Sequence, residues 1–166
     1  MYKPKNFGIK ELVSRVTFQS FSEAVCWQIF DPLILQDLQI VREEWEKLQR
    51  SKGLTNFGIV VNNWASGGSF NQCGYRCNLD QLVQDRTKQN RAYLSAHTTG
   101  RAFDLHASDN NALWELINKL IKAKALRAIN RLEAKTTTGI KAGSAAGWVH
   151  MDGSNVPEPY PQIFTG

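Results

Sequence analysis

The chain holds three histidines, His97, His106 and His150, and their setting suits metal chemistry. His97 and Asp104 are seven residues apart with Gly100 between them. If Tyr93 to Ala107 runs as strand, turn and strand, broken at Gly100, both side chains reach one point. Past Gly100, strand alternation puts Ala102, Asp104 and His106 on one face and Phe103 and Leu105 on the other. His150 stands in a second strand-like run, Gly147 to Asp152, and Asp152 projects from the same face two residues on. Two imidazoles and a carboxylate, His97, Asp104 and His150, form a three-ligand zinc set with a fourth position left for water. The plain alternative for a lone buried histidine is a satisfied core residue. His106 reads as a strand residue flanking the site, and as a substitute ligand only if Asp104 is displaced.

Cys26, Cys73 and Cys77 are an odd, low number of cysteines, which reads as free thiols. Cys73 and Cys77 have the spacing of a metal pair, but no second Cys/His pair stands at zinc-finger distance.

The elements that must position these residues are legible in part. Asp31 and Pro32 signal a helix start, and Leu38, Val41, Trp45 and Leu48 recur at helical spacing until Gly53. Phe57 to Trp64 is a short apolar run expected to form a buried strand, and Ala65 to Ser69 a loop. A short helix carrying Leu79, Leu82 and Val83 is expected after an Asn78 cap. A second amphipathic helix, capped by Ser108 or Asp109, carries Leu113, Leu116, Ile117, Leu120 and Ile121. Ile129 to Ala134 alternates as a strand. Residues 153–166 hold three of the five prolines and read as an extended tail. Helices alternate with strands that cluster late in the chain. The expected class is α+β, with a small, mostly antiparallel sheet flanked by helices.

The 166 residues suit one domain with one core. A hydrophobic content of 42% and a charged content of 21% fit a soluble globular chain and exclude wholesale disorder. No apolar run has the length of a membrane span, and the N-terminus lacks the apolar region of a signal peptide. The net charge of +5 attracts polyanions, among them nucleic acid and an acidic cell wall. A nucleic-acid role leaves the histidines unexplained, so no nucleic-acid partner is expected.

Ser95, His97, Gly100, Ala102 and Asp104 match the pattern S-x-H-x-x-G-x-A-x-D, and Trp148-Val149-His150-Met151-Asp152 supplies a downstream x-H-x-D. On these two motifs the chain resembles the zinc D-alanyl-D-alanine carboxypeptidase family of peptidoglycan peptidases. That family includes phage endolysins and is distantly related in fold to the Hedgehog signalling domain. Cys73-Gly74-Tyr75-Arg76 is similar to the family's S-G-Y-R segment, and Asn6 to Leu12 to its short N-terminal segment. The resemblance spans roughly residues 6–153 and is weak outside the motifs.

The resemblance implies one zinc peptidase domain over residues 1–166, with Zn2+ on His97, Asp104 and His150. Arg76 then stabilises an oxyanion or holds a substrate carboxylate, and Ser95 and Tyr75 bind substrate. Trp148 is either a cleft wall or core. Zinc lowers the pKa of a bound water to roughly 7, and a general base must take its proton. The best-known relatives place that base two or three residues before the last zinc histidine, where this chain has Trp148 and Gly147. Glu133, in Arg131-Leu132-Glu133, is the expected base, and Asp152 the carboxylate that orients His150.

The expected function is hydrolysis of a peptide bond in the peptidoglycan stem or cross-link by a monomeric phage or prophage lysin. Such a lysin is made in the host cytoplasm and acts on the wall after release or within a virion. The alternative is a zinc-stabilised, non-catalytic wall-binding or virion module.

Overall fold

The structure is a computed structural model that describes residues 1–90, 92, 94–154 and 160–165. Its longest helix begins where Asp31 accepts a hydrogen bond from the Leu33 amide and Pro32 supplies the first turn. In chain order the helices are α1 (Ile9–Leu12), α2 (Arg15–Ser20), α3 (Glu23–Gln28), α4 (Pro32–Ser51), α5 (Gln81–Lys88) and α6 (Asn110–Lys122). The strands are β1 (Ile59–Val60), β2 (Ala102–Ala107), β3 (Arg131–Glu133), β4 (Val149–Asp152) and β5 (Gln162–Phe164).

The five strands form one mixed sheet in the order β1-β2-β4-β3-β5, so the class is α+β. Three pairings are antiparallel, and β5 lies parallel to β3. Period-two alternation divides the sheet. Phe103, Leu105, Leu132, Val149 and Met151 turn to one face and join α4 and α6 in one hydrophobic cluster. Ile34, Leu35, Leu38, Val41 and Trp45 are the α4 contribution, and Leu113, Ile117 and Ile121 that of α6. The other face carries Asp104, His150, Asp152, Arg131 and Glu133. Registers of Asp104 with His150 and of Arg131 with Asp152 set these polar groups side by side.

A buried carboxylate ties the two layers together. Asp37 of α4 accepts N–H bonds from Arg127 at 3.0 Å, Ala128 at 2.7 Å and Ile129 at 2.8 Å, which fixes the approach to β3.

Several expectations are corrected. The strand expected over Phe57 to Trp64 shrinks to Ile59–Val60. From Asn62 on, side chains bond to neighbouring loops, and Trp64–Ser66 turn into a short 3₁₀ helix. The cap of α5 is Asp80 rather than Asn78, and Leu79 is exposed. The tail is not simply extended: Gln162–Phe164 pairs with β3, while 155–159 and 166 lie outside the described residues. Three short helices between Ile9 and Gln28 carry no long period. Ser14 and Ser22 start the second and third by accepting from Thr17 and Val25 amides.

Candidate metal centre

His97 does not lie on a strand, as the spacing suggested, but on a 3₁₀ turn, Ala96–Thr99. Ser95 caps that turn by accepting the His97 amide at 3.3 Å. Gly100 ends it at φ +68°, a left-handed conformation; a Cβ there would also sit 2.7 Å from the Ile29 carbonyl oxygen. The turn leads into β2, which brings Asp104 beside His97 without a hairpin.

Gly74 fixes the histidine ring. A Cβ on Gly74 would lie 2.0 Å from the Leu12 carbonyl oxygen, so only glycine lets this segment press against the end of α1. There the Tyr75 amide donates to Leu12 and its carbonyl accepts from Ser14. The Gly74 carbonyl, held in place, accepts from His97 Nδ1 at 2.8 Å. A carbonyl only accepts, so Nδ1 carries the proton and Nε2 is left as a donor atom for a metal.

The same logic orients His150. Its Nε2 faces Asp152 Oδ2 at 3.1 Å, leaving Nδ1 toward Asp104. Asp152 is fully buried and is gripped in turn by Arg131, through Nε at 2.9 Å and a second guanidinium nitrogen at 3.0 Å, and by Ser154 Oγ at 2.7 Å. Asp152, expected to orient His150, thus lies within hydrogen-bond reach of the ring nitrogen that faces away from Asp104.

The free donors converge. His97 Nε2 lies 3.3 Å from His150 Nδ1 and 3.4 Å from Asp104 Oδ2, and His150 Nδ1 lies 2.8 Å from Asp104 Oδ1. A tetrahedral ion with bonds of about 2.0–2.1 Å holds its ligands about 3.3 Å apart. Three buried donors at these separations, with both imidazole N–H groups turned away and bonded, fit a metal ion.

Charge supports the cluster. Burial pushes His97 below its ordinary pKa. Burial also disfavours the charged form of Asp104, but the hydrogen bond from His150 and the imidazoles packed against it outweigh that and hold its carboxyl below the usual range. His150 is pulled down by burial and up by Asp104 and Asp152, which carry it to about 9. A metal ion must displace that proton. Affinity for zinc, measured by chelator competition, is therefore expected to rise about tenfold per pH unit up to about pH 9 and then level off. A flat profile would contradict this protonation state. Replacing Asp152 by Asn is expected to weaken zinc binding by about 10- to 100-fold in the same assay, because the oriented imidazole loses its anchor.

The cluster lines a cavity of about 370 Å³. Of the residues singled out in the sequence, Arg76, Ser95, Glu133 and Trp148 also line it. Trp148 is 38% exposed, so it stands as a wall rather than as core. Arg76 donates to Asp104 Oδ2 at 3.0 Å and to the Gln72 carbonyl. Tyr75 is not part of this lining; its ring packs edge-on to Phe30, 6.4 Å between centroids. Compared with protein-family models, with curated proteins and with solved structures, the chain matches none.

His106 is not in the cluster. Its ring stacks on Phe70 at 3.9 Å, and Nε2 lies 3.6 Å from Cys73 Sγ. Cys26, Cys73 and Cys77 are all free, and burial, with Asp104 nearby, pushes the Cys73 thiol to about 12. Two participants escaped the sequence reading. Arg131 stands in the sequence as one of the basic residues and in the run Arg131-Leu132-Glu133, and its contact with Asp152 follows from the β3–β4 register. Arg86 lines the cavity from α5, and nothing in its spacing to the histidines marks it.

Proposed function

We propose that the chain is a zinc peptidase that hydrolyses a peptide bond in the peptidoglycan stem peptide or cross-link. On this proposal the sheet belongs to the D-alanyl-D-alanine-peptidase type, and the chain serves as a phage or prophage lysin acting on the bacterial wall. The observation that carries the reading is the convergence of His97 Nε2, His150 Nδ1 and Asp104 on one point in an open polar cavity that Glu133 also lines. Among the described residues no helix is long and apolar enough to cross a membrane.

His97, Asp104 and His150 hold the ion, and zinc bound there supplies Lewis acidity toward a carbonyl and a water. Glu133 takes the proton of the attacking water and returns it to the leaving amine. Arg76 keeps Asp104 turned toward the imidazoles. Ser95, which already accepts one backbone N–H, has its hydroxyl proton left to donate to the substrate backbone. Trp148 screens one side of the cavity from bulk water.

The test is digestion of purified peptidoglycan by the zinc-loaded chain, with mass spectrometry of the released muropeptides. One defined new amine and carboxyl pair, lost with a chelator and restored by zinc, is expected. A chain that binds stoichiometric zinc and the wall but releases no peptide would instead be the non-catalytic module.

A further inference from the structure

We infer that Arg86 is the specificity residue of this cavity, and that it recognises a carboxylate on the substrate. The inference rests on the peptidase reading and narrows its substrate class.

Helix α5 is set firmly enough to aim a side chain. Its cap, Asp80, is buried, and the carboxylate accepts from Ser14 Oγ at 2.9 Å and from the Cys77 amide at 2.7 Å. Val83 is the buried side chain of the helix, and Arg86 follows it by one turn, on the same face. That face leads to the cavity, which Arg86 lines together with Asp104 and Glu133. The one acid of α5, Asp85, accepts from Gln81 at 2.6 Å and lies 3.9 Å from Lys88.

Among the described residues two guanidinium groups therefore line the cavity, and they differ in what they hold. Arg76 is engaged by Asp104 and by the Gln72 carbonyl, so its charge already serves the metal ligand. Arg86 is exposed, and its side chain has no hydrogen-bond or ion-pair partner among the described residues. A guanidinium fork binds a carboxylate through two parallel N–H···O bonds, and a lysine does not reproduce that geometry. The carboxylate has two possible sources: the C-terminus of a peptide, as in a carboxypeptidase, or an acidic residue beside an internal bond, as in an endopeptidase.

The experiment uses the full zinc-loaded chain and synthetic stem peptides. One pair carries the D-glutamyl α-carboxylate free or amidated, and the other carries the C-terminal carboxylate free or amidated. Cleavage is read as KM and kcat, and binding separately by titration calorimetry. Wild type is expected to favour one free carboxylate over its amide. Arg86→Gln is expected to raise KM for that peptide about 10- to 100-fold, leave kcat nearly unchanged and abolish the preference; Arg86→Lys falls between. The amide that matters names the source: the C-terminal one for a carboxypeptidase, the glutamyl one for an endopeptidase. Equal KM of wild type and Arg86→Gln on every peptide would overturn the assignment. Carboxylate-selective binding without cleavage would uphold Arg86 and overturn the peptidase reading. No binding of any peptide would overturn both.

Discussion

His97→Ala and His150→Ala chains are expected to take up no zinc under conditions that load the wild type with one ion per chain, and to release no muropeptide. Each substitution removes one of only three protein donors. The loss should therefore exceed the roughly 10- to 100-fold that follows from disturbing a group that merely orients a ligand. His97→Ala also strands the Gly74 carbonyl, whose proton donor is His97 Nδ1 at 2.8 Å. An unpaired buried acceptor costs about 1–3 kcal/mol, so this variant should melt earlier even without metal. His150→Gln, which keeps most of the volume beside Asp104 and Asp152, separates loss of metal from loss of fold. Thermal melting gives the readout. A ligand bound only by the native state stabilises it by about 2.7 kcal/mol at a hundred times its Kd, so zinc should raise the wild-type Tm and leave the variants unmoved. Zinc-induced stabilisation of His97→Ala equal to that of wild type would place the metal elsewhere.

How much of this could be read from the chain follows from which periods were long enough to see. Helix α4, with Leu38, Val41 and Trp45, and α6, with Leu113 and Ile117, repeat over several turns, and both appear where expected. Strands β2 and β4 were visible because alternation there sets His and Asp against Phe, Leu, Val and Met. The N-terminal helices have four to six residues each, too short for a repeat to show, and the second and third are started by serine caps. The donors His97, Asp104 and His150 were legible from residue type and spacing. Their geometry was not: His97 reaches Asp104 from a 3₁₀ turn, and its ring is set by a backbone carbonyl 23 residues away. Backbone partners leave no mark in side-chain patterns. Nor does strand order, which brings Arg131 to Asp152 across 21 residues and pairs β5 with β3.

Glu133→Gln is expected to keep one zinc per chain and to lose about 10²- to 10⁴-fold in turnover, the usual worth of a positioned general base. The choice of Glu133 follows from what the other carboxylates are doing. Among the described residues, Asp104 and Glu133 are the acids lining the cavity. Asp104 is bound by Arg76 and faces both imidazoles, and its carboxyl is held below the usual range because the hydrogen bond from His150 and the imidazoles beside it outweigh burial. A group committed to that many donors is a poor proton acceptor. Asp152, the other carboxylate near His150, is fully buried behind the ring, with both oxygens taken by Arg131 and further bonds from Ser154 and His150. It cannot reach water in the cavity without breaking the network that orients the imidazole. Glu133 stands on β3 two residues after Arg131, on the same face of the sheet, and reaches the cavity from the strand next to that of His150. On the proposed mechanism it stands in for the acid that Gly147 and Trp148 do not supply. The two variants should thus divide the phenotype. Asp152→Asn weakens metal binding, and turnover recovers in part as zinc is raised. Glu133→Gln binds zinc normally, and excess zinc does not rescue it. Muropeptide release by Glu133→Gln at close to the wild-type rate would remove Glu133 from the reaction, and rescue of that variant by zinc would make it a metal-site residue instead.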